Sequence, residues 1–219
     1  MLQLQESILS NVTMKLIKLL LFLLFATSAY AENKAEDRLI RFLDNMQTLQ
    51  ANFKQTLVDD QGMELESSSG VVYLKRPNKF RWDYKHPYQQ TIVTNGEVLW
   101  FYDEDLEQVI IREASSSVEG TPVAILGSYE DIDKQFIIID MGNIEGFDWV
   151  ELTPRDIENQ YNSIRLGFDK EKLGMMVMFD NLGQVTRIDF TEEVINEKLD
   201  NGTFEFEPPE GIDVIDDRG

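Results

Sequence analysis

The chain contains no cysteine and a single histidine, His86, among its 219 residues. The absence of cysteine excludes disulfides, thiolate metal sites, a cysteine nucleophile and acylation of an N-terminal cysteine. Nucleophilic catalysis with an imidazole base would depend on His86 alone. This residue lies in a Lys85-His86-Pro87 turn without a G-x-S-x-G motif, which favours a surface imidazole. The sequence thus predicts no catalytic residue and a protein that is not an enzyme.

Positive charge is also scarce, because 20 lysines and arginines stand against 40 aspartates and glutamates, for a net charge of −20. An acidic protein repels phosphate backbones and anionic lipid headgroups, so we expect no nucleic-acid partner. The sequence has no phosphate-binding glycine loop, dinucleotide fingerprint, H-E-x-x-H pair or EF-hand loop. We therefore expect neither a cofactor nor a metal ion.

Long hydrophobic runs are missing after residue 31, where no segment approaches the ~18 apolar residues of a membrane helix. Met14 to Ala31 instead has two lysines, an apolar run and a small-x-small site, the pattern of a secretory signal peptide. We predict an N-terminal extension and signal peptide over 1–31, with Met1 or Met14 as the start, and a single domain over 32–219. The expected location is the periplasm, without stable membrane insertion.

Two helical regions are expected from apolar spacing and capping residues. Asn33 with Glu36 resembles a capping box and begins a long amphipathic helix that extends to about Leu57. Its apolar positions are Leu39, Phe42, Leu43, Met46, Leu49 and Phe53. Thr121-Pro122 suits the start of a short helix that ends near Leu126, and a further short turn is expected over Tyr129 to Gln135.

Short alternating segments separated by Gly, Asn, Asp and Pro predict about ten antiparallel strands. The Asn95-Gly96 pair is a strong hairpin signal. Thr191 to Leu199 is compatible with strand or helix, and Thr203 to Phe206 is expected to be the final strand. The other predicted strands are Gly70–Lys75, Lys79–Tyr84, Gln90–Thr94, Val98–Tyr102, Gln108–Arg112, Phe136–Asp140, Trp149–Pro154, Asn162–Asp169, Met175–Phe179 and Val185–Phe190. This order predicts a mainly β fold in which a sheet curls around a helical lid, enclosing either a cavity or an ordinary packed core.

The stretch from Tyr73 to Gln90 is the most informative part of the chain. Phe80, Trp82 and Tyr84 alternate with charged residues, which gives the strand one aromatic face and one charged face. Pro77 has no backbone donor and is expected to interrupt the pairing of the strands on its two sides. Arg76 is left at that break, where a surface arginine that extends over the sheet edge is an ordinary alternative to a functional role.

Several segments together resemble the LolA family of periplasmic carriers of outer-membrane lipoproteins. They are Phe53-Lys54-Gln55-Thr56, Lys75-Arg76-Pro77-Asn78-Lys79-Phe80-Arg81-Trp82, Gly96 with Leu99-Trp100-Phe101-Tyr102-Asp103, Thr121-Pro122 and Phe204-Glu205-Phe206-Glu207-Pro208-Pro209-Glu210-Gly211. Their order and spacing cover nearly all of the chain after residue 31. The resemblance implies an incomplete antiparallel β-barrel, a half-barrel covered by a helical lid, with a hydrophobic cavity for acyl chains between them.

The resemblance also implies roles for particular residues. Arg76 matches an arginine that latches the empty lid by bonding to backbone carbonyls, which here belong to Leu43, Leu126 and Gly127. Phe80 matches a position that matters for cargo loading. Inward-facing positions of the predicted elements extend the expected acyl-chain site to Trp82, Met46, Leu49 and Ile125, with Leu43 and Leu126 beside them.

The partners implied by the family are triacylated lipoproteins, an inner-membrane ABC-type release complex and an outer-membrane lipoprotein receptor, with the carrier itself a monomer. Two alternatives remain open on the sequence alone. One is a periplasmic lipid-sensing regulatory module on the same half-barrel. The other is a carboxylate-based hydrolase, because 40 acidic residues supply many carboxylate pairs whose spatial separation the sequence does not reveal.

Overall fold

The computed structural model describes residues 34–114, 126, 132–157 and 159–218. The helices are α1 (Lys34–Asn45), α2 (Ile132–Gln135) and a 3₁₀ turn (Asn201–Phe204). The strands are β1 (Thr48–Val58), β2 (Glu64–Lys75), β3 (Lys79–His86), β4 (Gln90–Thr94), β5 (Val98–Asp103), β6 (Gln108–Glu113), β7 (Phe136–Ile144), β8 (Phe147–Pro154), β9 (Tyr161–Asp169), β10 (Lys172–Asp180), β11 (Val185–Ile195) and β12 (Asp213–Asp216).

All of these strands join one sheet in the order β12-β6-β5-β4-β3-β2-β1-β11-β10-β9-β8-β7. Two antiparallel meanders, β1 to β6 and β7 to β11, meet where β11 pairs with β1. The C-terminal strand β12 is the exception, since it pairs in parallel with β6. Strands β7 and β12 form the two edges and are not paired with each other in the described part of the chain, so the sheet is open.

The first helix ends at Asn45, and the prediction that it continues to Leu57 is wrong. The chain enters β1 instead, where Leu49, Ala51 and Phe53 are buried on alternate positions. Leu49 and Phe53 are four residues apart, a spacing that fits one face of a helix and one face of a strand equally well. Pairing with β2 on one side and β11 on the other selects the strand, because both ladders run the length of β1.

Other differences from the sequence predictions lie in turns and near the C-terminus. Pro77 occupies the β2–β3 turn, and the two strands pair without the predicted interruption, from Lys75 opposite Lys79 onward. The ambiguous segment after Thr191 continues β11 as a strand to Ile195. The predicted strand Thr203–Phe206 is wrong, because the residues up to Phe204 form a 3₁₀ turn capped by the Asp200 side chain.

Some predictions fall outside the described residues. These are the signal peptide within 1–31, the capping residue Asn33 and most of the short helix predicted from Pro122, of which Leu126 is described and is helical. The turn expected over Tyr129 to Gln135 contains α2 in its described part. None of the helices among the described residues is long and apolar enough to cross a membrane.

One face of the sheet carries the core, and α1 packs across it. The rings of Phe42 on α1 and Phe168 on β9 meet edge to face with centroids 5.3 Å apart. Arg38, one turn earlier, forms an ion pair with Asp148 at the start of β8. Such a partly exposed pair contributes only ~0–1 kcal/mol, so apolar contact is the main force that holds the helix on the sheet.

The segment after β11 covers part of the opposite face of the sheet. Phe204 is fully buried there, and the ring of Phe206 lies 5.3 Å from that of Tyr102 on β5. Lys75 donates from Nζ to the Asn201 side chain at 2.7 Å. Because this segment covers the opposite face, a binding site on β1 to β5 is expected on the face under α1.

Candidate functional site

Arg76 connects the β2–β3 turn to two helical segments. Its backbone N–H donates to the carbonyl of Gln47 at 2.9 Å, which fixes the turn beside the end of α1. Its guanidinium donates from Nη1 to the carbonyl of Leu43 and from Nη2 to the carbonyl of Leu126 at 3.1 Å. The third predicted latch residue, Gly127, lies outside the described residues. A planar group with five donors is well suited to hold two carbonyls from different segments together.

The carbonyl of Leu43 is available because of where it lies in α1. The last four carbonyls of an α-helix have no partner within the helix, and Leu43 is in the last turn of Lys34–Asn45. The same helix end also carries the negative pole of the helix dipole, which favours a nearby cation. Arg76 therefore satisfies an acceptor that would otherwise need water. This contact depends on α1 remaining in place over the sheet.

The residues predicted to bind acyl chains lie together beneath these helical segments. Phe80 and Trp82 are 4% and 3% exposed on β3, and they belong to one continuous apolar cluster with residues of α1, β1 and the second segment. The other predicted site residues in this cluster are Leu43, Met46, Leu49 and Leu126. Ile125 lies outside the described residues. The binding role of these side chains stays a prediction, but they share one surface.

Aromatic rings on β1, β3 and β11 form the centre of this surface. Phe53 lies 4.6 Å from Trp82 and 5.2 Å from Tyr84, measured between ring centroids, and Trp82 lies 6.4 Å from Phe190. Gly70 on β2 makes room for the Phe53 ring, since a Cβ atom there would lie 2.9 Å from that ring and 1.8 Å from the carbonyl oxygen of Asp83. The aromatic cluster thus depends on a missing side chain in the neighbouring strand.

Substitution of Gly70 by alanine should destabilise the protein strongly. The added methyl group meets backbone atoms, which move only if β2 and β3 separate, and overpacking of this kind costs about 1–3 kcal/mol. Ser67→Ala on the same strand should change stability by less than about 0.5 kcal/mol. The free energy of unfolding in urea checks both variants. Equal stability of the two variants would show that β2 adapts to a side chain at this position.

A few polar groups interrupt the apolar surface at the end of β3 that is distant from Arg76. The Tyr84 hydroxyl donates to Oε1 of Gln55 on β1 at 3.2 Å. Burial, and then the negative charge of Glu66, raise the pKa of Tyr84 to about 12. Tyr84 is therefore a neutral phenol under all physiological conditions.

The raised pKa of Tyr84 predicts a loss of stability at alkaline pH. The ordinary pKa is 10, so the contribution of Tyr84 is fully present below pH 10 and is lost as pH rises through 10 towards 12. At pH 11 the parent protein should have lost about 1.4 kcal/mol relative to Tyr84→Phe, which has no phenol to titrate. Urea unfolding of both proteins at pH 8 and pH 11 measures this difference. A difference that is the same at both pH values would contradict the burial of the hydroxyl.

Sequence reasoning missed one buried acid beside the same apolar surface. Glu193 is only 9% exposed, and its Oε1 accepts from the backbone N–H of Leu173 at 3.4 Å. Burial raises the pKa of this carboxyl, while the Leu173 N–H and Lys172 oppose the shift. Glu193 follows a residue with positive φ in the irregular part of β11, where the register against β1 shifts. No local pattern in the sequence marks this bulge, so nothing indicated that the side chain would point inward.

The opposite face carries a groove of about 390 Å³ that sequence reasoning did not predict. It is a mixed surface of apolar side chains with two arginines and a glutamate, and both arginines are engaged in ion pairs, Arg165 with Glu151 and Arg187 with Asp189. The lining residues are Met141, Ile144, Glu145, Phe147, Trp149, Arg165, Met175, Val177 and Arg187. The groove lies outside the surface that the predicted site residues share.

The described residues offer no arrangement typical of catalysis by a metal or by a histidine. No group of three or more His, Asp or Glu side chains in this part of the chain is placed to hold a metal ion. His86 is exposed at the end of β3. The fold defines the class of the protein as an open, mostly β half-barrel with an apolar face under helices.

Comparison with known proteins identifies the family. The family model "Outer membrane lipoprotein carrier protein LolA" matches residues 44–207. Outer-membrane lipoprotein carrier proteins of Methylococcus capsulatus and Nitrosospira multiformis are 41% and 40% identical, covering 87% and 90% of this chain and 92% and 94% of their own. The chain belongs to the LolA family of outer membrane lipoprotein carrier proteins.

Solved structures resemble this chain at much lower sequence identity. The crystal structure of MucB matches with a TM-score of 0.50 and 14% identity over 84% of this chain and 66% of MucB. A LolA-superfamily protein from Nitrosomonas europaea matches with a TM-score of 0.48 and 15% identity over 78% of this chain and 97% of its own. At such identity the likeness to MucB is one of fold alone.

Proposed function

We propose that this protein is a periplasmic carrier that binds the acyl chains of outer-membrane lipoproteins and delivers them across the periplasm. The observation that carries the proposal is the continuous apolar face beneath α1, which is assembled from strands on both sides of β1. Each Å² of acyl chain removed from water stabilises a complex by about 25 cal/mol. An apolar surface of this kind therefore suits a cargo whose acyl chains are insoluble in water. Family membership supports the same function.

The contact of Arg76 with two carbonyls supports a gate that needs no nucleotide. Each hydrogen bond of this type contributes about 0.5–1.5 kcal/mol, which is small compared with the apolar area of an acyl chain. Entering cargo can therefore displace α1 and Leu126 from Arg76. When the cargo leaves, the same bonds form again and favour the closed state. The family resemblance predicts the carbonyl of Gly127 as a third acceptor.

The proposed partners follow from the family and from the route of the cargo. A triacylated lipoprotein must be taken from an inner-membrane ABC-type release complex and given to an outer-membrane lipoprotein receptor, with this protein acting as a monomer between them. The signal peptide predicted within 1–31 supports export to the periplasm. The carrier itself requires no catalytic group, cofactor or metal for these steps.

The two alternative functions have weaker support. No observation among the described residues favours the lipid-sensing regulatory module, whereas an outer-membrane lipoprotein carrier protein matches this chain at 41% identity. The hydrolase would need paired carboxylates in an open polar cleft. Among the described residues, Glu193 is a buried acid beside the apolar surface, and its Oε1 accepts from a backbone N–H.

Transfer of a labelled lipoprotein tests the proposal. Inner-membrane vesicles that contain the release complex and a radiolabelled lipoprotein should release it into a soluble complex with the protein, and receptor-containing liposomes should then take it up. Depletion of the protein in cells should leave outer-membrane lipoproteins in the inner membrane. A regulatory module would release no lipoprotein from the vesicles, and that result would exclude the carrier function.

A further inference from the structure

The apolar surface ends in a row of polar groups on β1 to β3. We call Trp82, Tyr84, Gln55 and Ser68 the polar strip. Tyr84 bonds to Gln55 at 3.2 Å, and Ser68 on β2 stands directly opposite Gln55 in the β1–β2 ladder. Trp82 is two residues before Tyr84 and therefore lies on the same face of β3. Polar atoms are thus concentrated at one place on a face that is otherwise apolar.

Two donors of the polar strip have no acceptor. The indole Nε1 of Trp82 and the hydroxyl of Ser68 are buried and have no acceptor in hydrogen-bonding geometry among the described residues, although the indole lies close enough to the Tyr84 hydroxyl to act on its pKa. The two residues are only 3% and 6% exposed, so water does not replace the missing acceptors readily. A buried donor without an acceptor is unfavourable, and native structures retain few of them without a reason. An indole N–H is a donor only, so its partner must be an acceptor.

The charges around the polar strip favour a neutral acceptor. The charge that acts on the Tyr84 hydroxyl most strongly is that of Glu66, which is negative, and Asp180 acts in the same way on Tyr161. A carboxylate ligand would be repelled by these acids and would lose its hydration on burial. An ester carbonyl has no charge and accepts without donating, so it matches the free donors.

We propose that the polar strip binds the ester groups of the glyceryl moiety in acylated cargo, with the Trp82 indole N–H and the Ser68 hydroxyl as donors to ester carbonyl oxygens. The inference rests on the proposed carrier function. It also predicts the orientation of the bound cargo. Along β3 the surface changes from Phe80 to Trp82 and then to Tyr84, from fully apolar to polar. The acyl chains extend towards Phe80 and α1, and the peptide leaves at the end marked by Glu66.

Matched ligands test this inference. A water-soluble cysteinyl peptide with two octanoyl esters on its glyceryl group is compared with the same peptide carrying two octyl ethers, which lack the carbonyl oxygens. The protein should bind the diester about 5- to 10-fold more tightly, as expected for one or two hydrogen bonds gained. In ¹H–¹⁵N spectra, the indole N–H signal of Trp82 should move downfield with the diester but not with the diether.

Replacing Trp82 by 3-benzothienylalanine removes the N–H and keeps the shape of the ring. This variant should bind the two peptides within about twofold of each other, and Ser68→Ala should lose part of the discrimination. The matched control is the same replacement at Trp149, whose Nε1 donates to the carbonyl of Ile144 at 3.3 Å. This control should discriminate as the parent does.

The outcomes separate this inference from the function on which it rests. Equal binding of diester and diether by the parent overturns the ester site and leaves the carrier function intact. Binding of neither peptide contradicts the carrier function and the inference together. Octanoate that shifts the Trp82 signal and competes more strongly than octyl acetate, its neutral counterpart, would identify a carboxylate site and also overturn the proposal.

Discussion

Phe80→Glu should abolish the loading of acylated cargo. Phe80 is 4% exposed on the apolar face, so the new carboxyl is placed among hydrocarbon side chains and no longer offers an apolar contact to an acyl chain. Burial of a polar group without a partner costs roughly 2–7 kcal/mol. A loss of this size lowers binding by at least about 30-fold. Photocrosslinking of labelled lipoprotein to the variant, after incubation with release vesicles, measures the loading.

Two further variants separate loss of binding from loss of fold. Phe80→Leu keeps an apolar side chain and should still load cargo, with a stability reduced by about 1–1.5 kcal/mol because the smaller side chain packs less well. Ile139→Glu introduces the same charge on β7, where the side chain is 43% exposed, and should load as the parent does. Normal crosslinking of cargo to a folded Phe80→Glu protein would remove Phe80 from the binding surface.

Local signals in the sequence are sufficient for the hairpins and for the faces of the strands. Asn95 and Gly96 connect β4 and β5 as predicted, and Gly96 has the positive φ of 99° that such a turn requires. The alternation of aromatic and charged residues in β3 correctly predicted that Phe80 and Trp82 are buried. These features depend on neighbouring residues only, so a single sequence contains the information.

Long-range pairing explains where the same reasoning failed. In β1, Leu49 faces Ile195 and Leu74, and no local preference of Leu49 records that these partners exist. The helical spacing of Leu49 and Phe53 continued the pattern of α1 by coincidence, and the strand was therefore missed. Near the C-terminus, β12 pairs in parallel with β6, a contact between segments about 105 residues apart. Such a pair leaves no periodic signal beyond its few residues.

The candidate site also combines features that local sequence predicts with features that only long-range contacts determine. Burial of Phe80 and Trp82 followed from alternation, but a functional role for Arg76 came from the family resemblance, because a surface arginine was the ordinary interpretation. Its acceptors, the carbonyls of Leu43 and Leu126, belong to segments 33 and 50 residues away. The sequence also does not predict that the donors of Trp82 and Ser68 lack acceptors, since only the packed sheet shows which groups lie near them.

Arg76→Leu should produce a carrier that accepts cargo and does not deliver it. The substitution removes both hydrogen bonds to the carbonyls of Leu43 and Leu126 and adds apolar surface beside the binding face. Two bonds of about 1 kcal/mol each shift the equilibrium between closed and open forms by roughly 30-fold towards the open, loaded form. Loading remains normal because the apolar face is unchanged, but closing no longer helps to expel the acyl chains.

Acceptance of cargo from vesicles and its delivery to liposomes are measured separately for the Arg76→Leu variant. Release of labelled lipoprotein from inner-membrane vesicles should be close to that of the parent, whereas uptake by receptor-containing liposomes should fall, and the soluble complex should accumulate. Arg76→Lys should lie between them, since an ammonium keeps the charge but not the planar arrangement of donors. Arg81→Leu is the matched control, because Arg81 pairs with Asp83 at 2.8 Å on the other face of β3. If Arg76→Leu delivers cargo as well as Arg81→Leu does, the contact with the helices is structural and the latch assignment is wrong.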